Sequence, residues 1–194
     1  MKEGQIIPTH KEMDAIPQEP KWPGVTVDPS EFVELPVHEQ LRQLAIGYVS
    51  SAKSLCAELG ENPALQSWPR ALVVCFCFRH AVELFLKCCI YYRTQKIKGD
   101  HDITTLKKEY HRLYPGTDFF FQLPLFWSQK MGGSHVEDFE KKLDQVYRYF
   151  VGMEGQPPKR LYNFPPGLWL RMIEEFEKEI DRIWANIHES EGST

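Results

Sequence analysis

From residue 37 onward, apolar residues recur along most of the chain at helical spacing. Val37, Leu41, Leu44, Tyr48, Ala52, Leu55 and Leu59 step by threes and fours. That period predicts a helix from about Val37 to Leu59 with one apolar face. Gly60 is the expected terminator, and Asn62-Pro63 opens a turn. A second helix is predicted from Trp68 to Tyr92, with Pro69 in its first turn and Gly99 breaking the chain beyond it. Ala71 to Phe78 is apolar all round, which implies burial on several sides. A third helix starts near Asp102, whose carboxylate can cap it. It carries Ile103, Leu106, Tyr110 and Leu113 before Pro115-Gly116 stops it. A fourth is predicted over Ser134 to Phe150, with Val136, Phe139, Leu143, Val146 and Phe150 on one face. The last runs from Leu168 to His188. Its Trp169, Ile173, Phe176, Ile180, Ile183 and Ile187 alternate in steps of four and three, a heptad-like seam that suits either a core or a subunit interface.

The polar and proline-rich stretches set the organisation. Pro8, Pro17, Pro20, Pro23, Pro29 and Pro36 forbid a long helix in residues 1–36, which therefore read as an extended arm. Residues 117–134 form a long loop that holds Phe119, Phe120, Phe121, Phe126 and Trp127, so it packs down or lines a surface. The expected fold is all-α, an up-and-down bundle of about five helices with a proline-rich extended N-terminal arm. One helical domain spans 37–188, and 189–194 form a disordered tail.

Composition narrows the class. A chain of 194 residues with 42% hydrophobic content suits one domain with a real core. The net charge of -4 excludes a surface that is wholly a nucleic-acid footprint. The five cysteines lack zinc-site spacing, and four fall in the second helix, so they read as small hydrophobes of a reducing compartment. Met1 to Thr9 has no apolar leader core, and Arg79-His80 ends the longest apolar run. A cytoplasmic protein with no membrane partner is expected.

Three constellations carry candidate chemistry. Arg79, Glu83 and Lys87 lie at i, i+4 and i+8 on one face of the second helix, with His80 at its edge. A polar stripe in an otherwise apolar helix suggests a site or an internal ion network. Gly99-Asp100-His101-Asp102 places a histidine between two aspartates at a helix start, which suits capping, acid–base work or metal ligation. Between Tyr91 and Tyr114, Arg93, Lys96, Lys98, Lys107, Lys108 and Arg112 interleave with four tyrosines, the composition of a modest RNA-contact patch or of a solvated loop. Metal-binding histidine pairs, P-loops, dinucleotide glycine motifs and nucleophile elbows are absent, so no metal and no cofactor are expected.

Phe78-Arg79-His80-Ala81-Val82-Glu83-Leu84-Phe85-Leu86-Lys87, then Gly99-Asp100-His101-Asp102-Ile103, then Tyr147-Arg148-Tyr149-Phe150 resembles the HEPN (higher eukaryotes and prokaryotes nucleotide-binding) superfamily, in order over roughly residues 37–188. The resemblance implies an all-α bundle, often a homodimer, and a setting in toxin–antitoxin or other defence systems, where many members are metal-independent ribonucleases. The nuclease signature of that superfamily is an Arg and a His with four to six residues between them. Here only Arg182 and His188 match it, with Ile183 where a polar neighbour is usual.

The leading expectation is an HEPN-like protein that binds a nucleotide, RNA or a protein partner through a polar groove lined by Arg79, His80, Glu83, Lys87, His101, Asp102 and Arg148. Arg79 and Arg148 would hold a phosphate or carboxylate, Glu83 would orient one of them, and His101 would be the switchable donor. One alternative is a metal-independent endoribonuclease with Arg182 stabilising the charged phosphorane and His188 as acid–base group. Another is a non-catalytic dimerisation module built on the seam of the last helix.

Overall fold

A computed structural model describes residues 29–97, 99–120 and 164–192. The helix expected over 134–150, Arg148 and the loop beyond Phe120 lie outside them. The chain divides into two units, Met1–Glu34 and Leu35–Thr194. In the first, helix α1 is the single turn Ser30–Val33. It is closed by the Val33 and Glu34 amides donating to the Pro29 and Ser30 carbonyls. The second unit holds α2 (Val37–Glu61), α3 (Trp68–Thr94), α4 (Ile103–Leu113) and α5 (Pro166–Gly192). Two 3-10 turns, Pro63–Leu65 and Thr117–Phe119, complete it, and the described residues contain no strand.

The ends of the helices show which local signals acted. α2 passes through Gly60 and stops at Asn62, which is extended because a proline follows it. The Asn62 side chain then accepts the Ala64 amide at 3.1 Å and starts the Pro63–Leu65 turn. α3 ends before Gly99 is reached. Gln95 takes the left-handed conformation (φ 55°) and its amide donates to the Tyr91 carbonyl at 2.7 Å. A non-glycine residue in this region costs on the order of 1 kcal/mol, which the closed helix end offsets. α4 is capped as its sequence predicts, by Asp102 Oδ1 accepting the Thr104 amide at 3.1 Å. α5 continues to Gly192, so residues 189–192 are helical where a tail was expected.

Side-chain pairs set the topology. His38 meets Tyr92, Tyr48 meets His80, and Glu58 meets Arg70, so α2 and α3 are antiparallel. Lys53 pairs with Glu177 and Cys56 donates to the Pro166 carbonyl, so α2 and α5 are antiparallel too. Phe78 packs on Trp169, Phe85 on Phe176 and Tyr92 on Trp184, so α3 and α5 run parallel. α3 lies between its neighbours, but its all-round burial falls over residues 81–90 rather than in the all-apolar Ala71 to Phe78 stretch, where only Ala71, Val74, Cys75 and Phe78 are buried and Val73 is 49% exposed.

The seam of α5 is spent inside this unit. Trp169, Ile173, Phe176, Ile180, Ile183 and Ile187 are all buried in the same core as Phe78, Phe85 and Val49. Each such side chain contributes about 1.5–3 kcal/mol when withdrawn from water. The seam is therefore core, and the dimerisation reading loses the feature on which it stood. All five cysteines are free thiols, four of them buried. Burial alone pushes Cys56 up to about 11, which leaves it an inert thiol at neutral pH. No described helix is long and apolar enough to cross a membrane.

Candidate functional site

The polar stripe of α3 faces inward. Arg79, Glu83 and Lys87 are buried, and Glu83 is 1% exposed. A carboxylate at that depth is tolerable only if every lone pair meets a donor. The helix supplies two of them. Lys87 Nζ donates to Oε1 at 2.9 Å, and an Arg79 guanidinium nitrogen donates to Oε2 at 3.3 Å, each one turn away on the same face.

The third donor comes from the next connection. His101 Nδ1 lies 2.7 Å from Glu83 Oε1. The other terminal nitrogen of Arg79 donates to the His101 backbone carbonyl at 2.8 Å. One arginine thus bonds both the carboxylate and the loop that covers it. The loop is prepared locally for this. Asp100 Oδ1 accepts the Asp102 amide at 2.9 Å, and Asp102 spends its two oxygens on the Thr104 amide and the Thr105 hydroxyl. Both aspartates thereby shape the turn that presents His101, and Asp102 acts here as a helix cap rather than as a groove lining.

His80 sits beside the network. Its Nδ1 is 3.8 Å from Glu83 Oε2, an ion-pair distance rather than a hydrogen bond. The ring stacks on Phe76 and meets Tyr48 edge-on. Burial pushes the Glu83 carboxyl upward. The opposing pull of His80, Lys87 and His101 is stronger and holds it well below the usual carboxylate range. Glu83 is therefore an anion, and the Arg79 and Lys87 side chains share it. The His101 side chain is 62% exposed, so the network has one member that opens widely to solvent.

Because a buried carboxylate bonds Nδ1, the geometry selects the tautomer. An ionised carboxylate can only accept, so Nδ1 carries the hydrogen. In the neutral ring the lone pair is then on Nε2, at the far side from Glu83. The result is an exposed imidazole whose outer nitrogen is a base and nucleophile, oriented by a buried anion.

The other expected pair is not brought together. Arg182 and His188 are six residues apart on α5, about 120° around a helix axis. Arg182 is engaged with the Asp118 and Phe120 carbonyls at 2.6 and 2.7 Å and with Glu179. His188 instead packs against Tyr92 and Trp184. With Asn186, which donates to the same Asp118 carbonyl, Arg182 ties the segment after α4 to α5. The signal for that tie, two donors one turn apart on α5, carried no partner in the sequence.

The basic and aromatic patch is also divided by burial. Tyr110 and Tyr114 are core residues whose hydroxyls donate to the Phe119 and Cys89 carbonyls at 2.5 and 2.9 Å. Tyr92 is taken up between His38, Trp184 and His188. Rings so engaged are not free to stack on bases. Arg93, Lys96, Lys108 and Arg112 remain exposed, with Arg112 paired to Glu109. The described residues hold no group of three metal-ligating side chains. Comparison with protein-family models, with curated proteins and with solved structures finds no match to this chain.

Proposed function

We propose that the protein is an HEPN-like helical domain that binds a phosphate-bearing ligand, a nucleotide or RNA, beside the Glu83-centred network. His101 is the side chain that meets the ligand. Arg79 and Lys87 supply the positive field beneath it, and Glu83 orients the imidazole. One observation carries the reading. Arg79 and Lys87 share the single buried carboxylate of Glu83, an excess of one positive charge directly under an exposed histidine, with the carboxylates of Asp100, spent on the Asp102 amide, and of Asp102 as the negative charges beside it. The charge of Asp102 offsets this less than its proximity implies, because its oxygens are spent at the N-terminus of α4, where a helix dipole accepts negative charge. Arg79 serves a different role from the one its sequence position suggests: it holds the loop through the His101 carbonyl rather than reaching a ligand itself.

The test is anisotropy titration of a labelled mixed-sequence RNA and calorimetric titration of ATP into the full chain at low salt. Binding is expected to weaken as salt rises, as phosphate contacts require. Substituting His101→Ala should weaken it by about tenfold, the worth of one charge-assisted hydrogen bond donated to the phosphate by Nε2–H of the protonated ring. Absence of binding to both probes, or equal affinity in the variant, overturns the reading.

A further inference from the structure

We infer that His101 Nε2 is a phosphoryl acceptor, so that this site can carry a phosphoryl group covalently. The inference rests on the proposed ligand site for its place, but not on which phosphate ligand binds there. Three observations carry it. The ring is exposed, and Nδ1 is bonded at 2.7 Å to a carboxylate that is 1% exposed. The ring therefore presents Nε2, with its lone pair, to solvent. The backbone of the same residue is held at its carbonyl by Arg79 at 2.8 Å, which fixes the ring's origin as well as its tilt. Glu83 is itself retained in place by Lys87 at 2.9 Å, so the orienting anion cannot follow the ring away.

The chemistry follows from the pair. In the neutral ring, Nε2 attacks the phosphorus of a phosphoramidate-class donor. The new N–P bond forms as the donor's P–N bond breaks, and the leaving amine departs with the bonding electron pair. For the zwitterion of phosphoramidate itself, the leaving group is ammonia with its three hydrogens, so no further proton is needed. The ring becomes an N-phosphoimidazolium. Its Nδ1 hydrogen stays in the bond to Glu83, and that bond strengthens as positive charge develops on the ring because it becomes charge-assisted at both ends. Glu83 is a positioning residue here, since it acts only through the imidazole.

The chain's seven histidines provide internal controls. The full-length protein is incubated with phosphoramidate at neutral pH, and the modified residue is located by mass spectrometry under alkaline conditions that preserve phosphohistidine. One phosphoryl group is expected, on His101, ahead of the other six histidines. His101→Ala should abolish it. Glu83→Gln keeps an acceptor for Nδ1 but loses the charge, and should slow transfer by about tenfold or more, equivalent to about one pK unit of differential charge stabilisation. If Glu83→Gln does not fold by circular dichroism, Lys87→Met, which loosens Glu83 without removing it, must show a slower rate. Modification spread evenly over the histidines overturns the inference. So does hydrolysis of phosphoramidate with no adduct, or an unchanged rate in the folded Glu83 or Lys87 variant. Failure of RNA and ATP binding leaves these readouts intact, so the two proposals fail separately.

Discussion

Replacing Glu83 with Ala tests the network most directly. The carboxylate accepts from Arg79, Lys87 and His101, and both cations are buried with it. Removing it leaves a guanidinium and an ammonium in the interior without a counter-charge. The cost of breaking a buried pair in this way is about 3–5 kcal/mol. For a domain of this size that corresponds to a fall in Tm of roughly 6–20 °C, at about 2–4 °C per kcal/mol. The informative contrast is the triple substitution Arg79→Met, Glu83→Leu, Lys87→Met. It removes all three charges together, so no buried ion is orphaned, and its stability should lie within about 2 kcal/mol of the parent. The assay is thermal and urea unfolding by circular dichroism, with RNA and ATP titrations on each folded variant. A network kept for binding predicts a stable triple variant that has lost its ligand. A Glu83→Ala variant within about 1 kcal/mol of the parent would refute the premise that the two cations depend on this carboxylate. A triple variant that still binds would refute the functional reading.

Acid should act through the same residue. The Glu83 carboxyl is held below its ordinary value of 4.5 in the folded state, so its contribution is fully present above pH 4.5. It is lost as pH falls from there toward the lowered folded value, because the unfolded chain takes up the proton first. A urea series stepped downward from pH 5 should therefore lose stability more steeply in the parent than in Glu83→Gln, and parallel slopes would contradict it. Tyr110→Phe removes the donor to the half-buried Phe119 carbonyl and should cost about 1–2 kcal/mol in denaturant unfolding. Arg182→Ala should cost about 0.5–1.5 kcal/mol, because the Phe120 carbonyl loses its donor while the Asp118 carbonyl keeps Asn186, and RNA and ATP affinities should stay unchanged. Incubation of the parent and His188→Ala with mixed RNA in EDTA should show no cleavage that depends on His188, since Arg182 is occupied elsewhere.

The elements were legible because their signals are local. A period of 3.6 residues, prolines at helix starts and a capping aspartate act within one or two turns, so α2 to α5 stand within a few residues of where the pattern placed them. The misplaced ends have local causes as well. Gly60 is helical because a proline three residues after it supplies the stop, and Gln95 closes α3 because a cap needs a left-handed residue there, glycine or not. The charge stripe on α3 was legible as an anomaly, since three ionisable residues on one face of an apolar helix must be either exposed or mutually satisfied.

Which of these held was beyond the sequence. The seam of α5 fits a core and a dimer equally well by spacing, and only packing against Phe78, Phe85 and α2 assigns it to the core. The tyrosines of the basic patch look like stacking rings until Tyr110 and Tyr114 are seen to be buried, with their hydroxyls on backbone carbonyls. Above all, the contact that defines the site joins Glu83 to a histidine 18 residues later, across a helix end and a loop. Helical periodicity ranks residues on one face of one helix. It contains nothing about which loop residue covers that face, because that depends on where the chain turns back and on which buried charge still lacks a donor. By itself the sequence determined the helices and the presence of buried charge. The tertiary structure alone decided that the charge is met by His101, whose Nδ1 is bonded to Glu83 while its side chain stays 62% exposed.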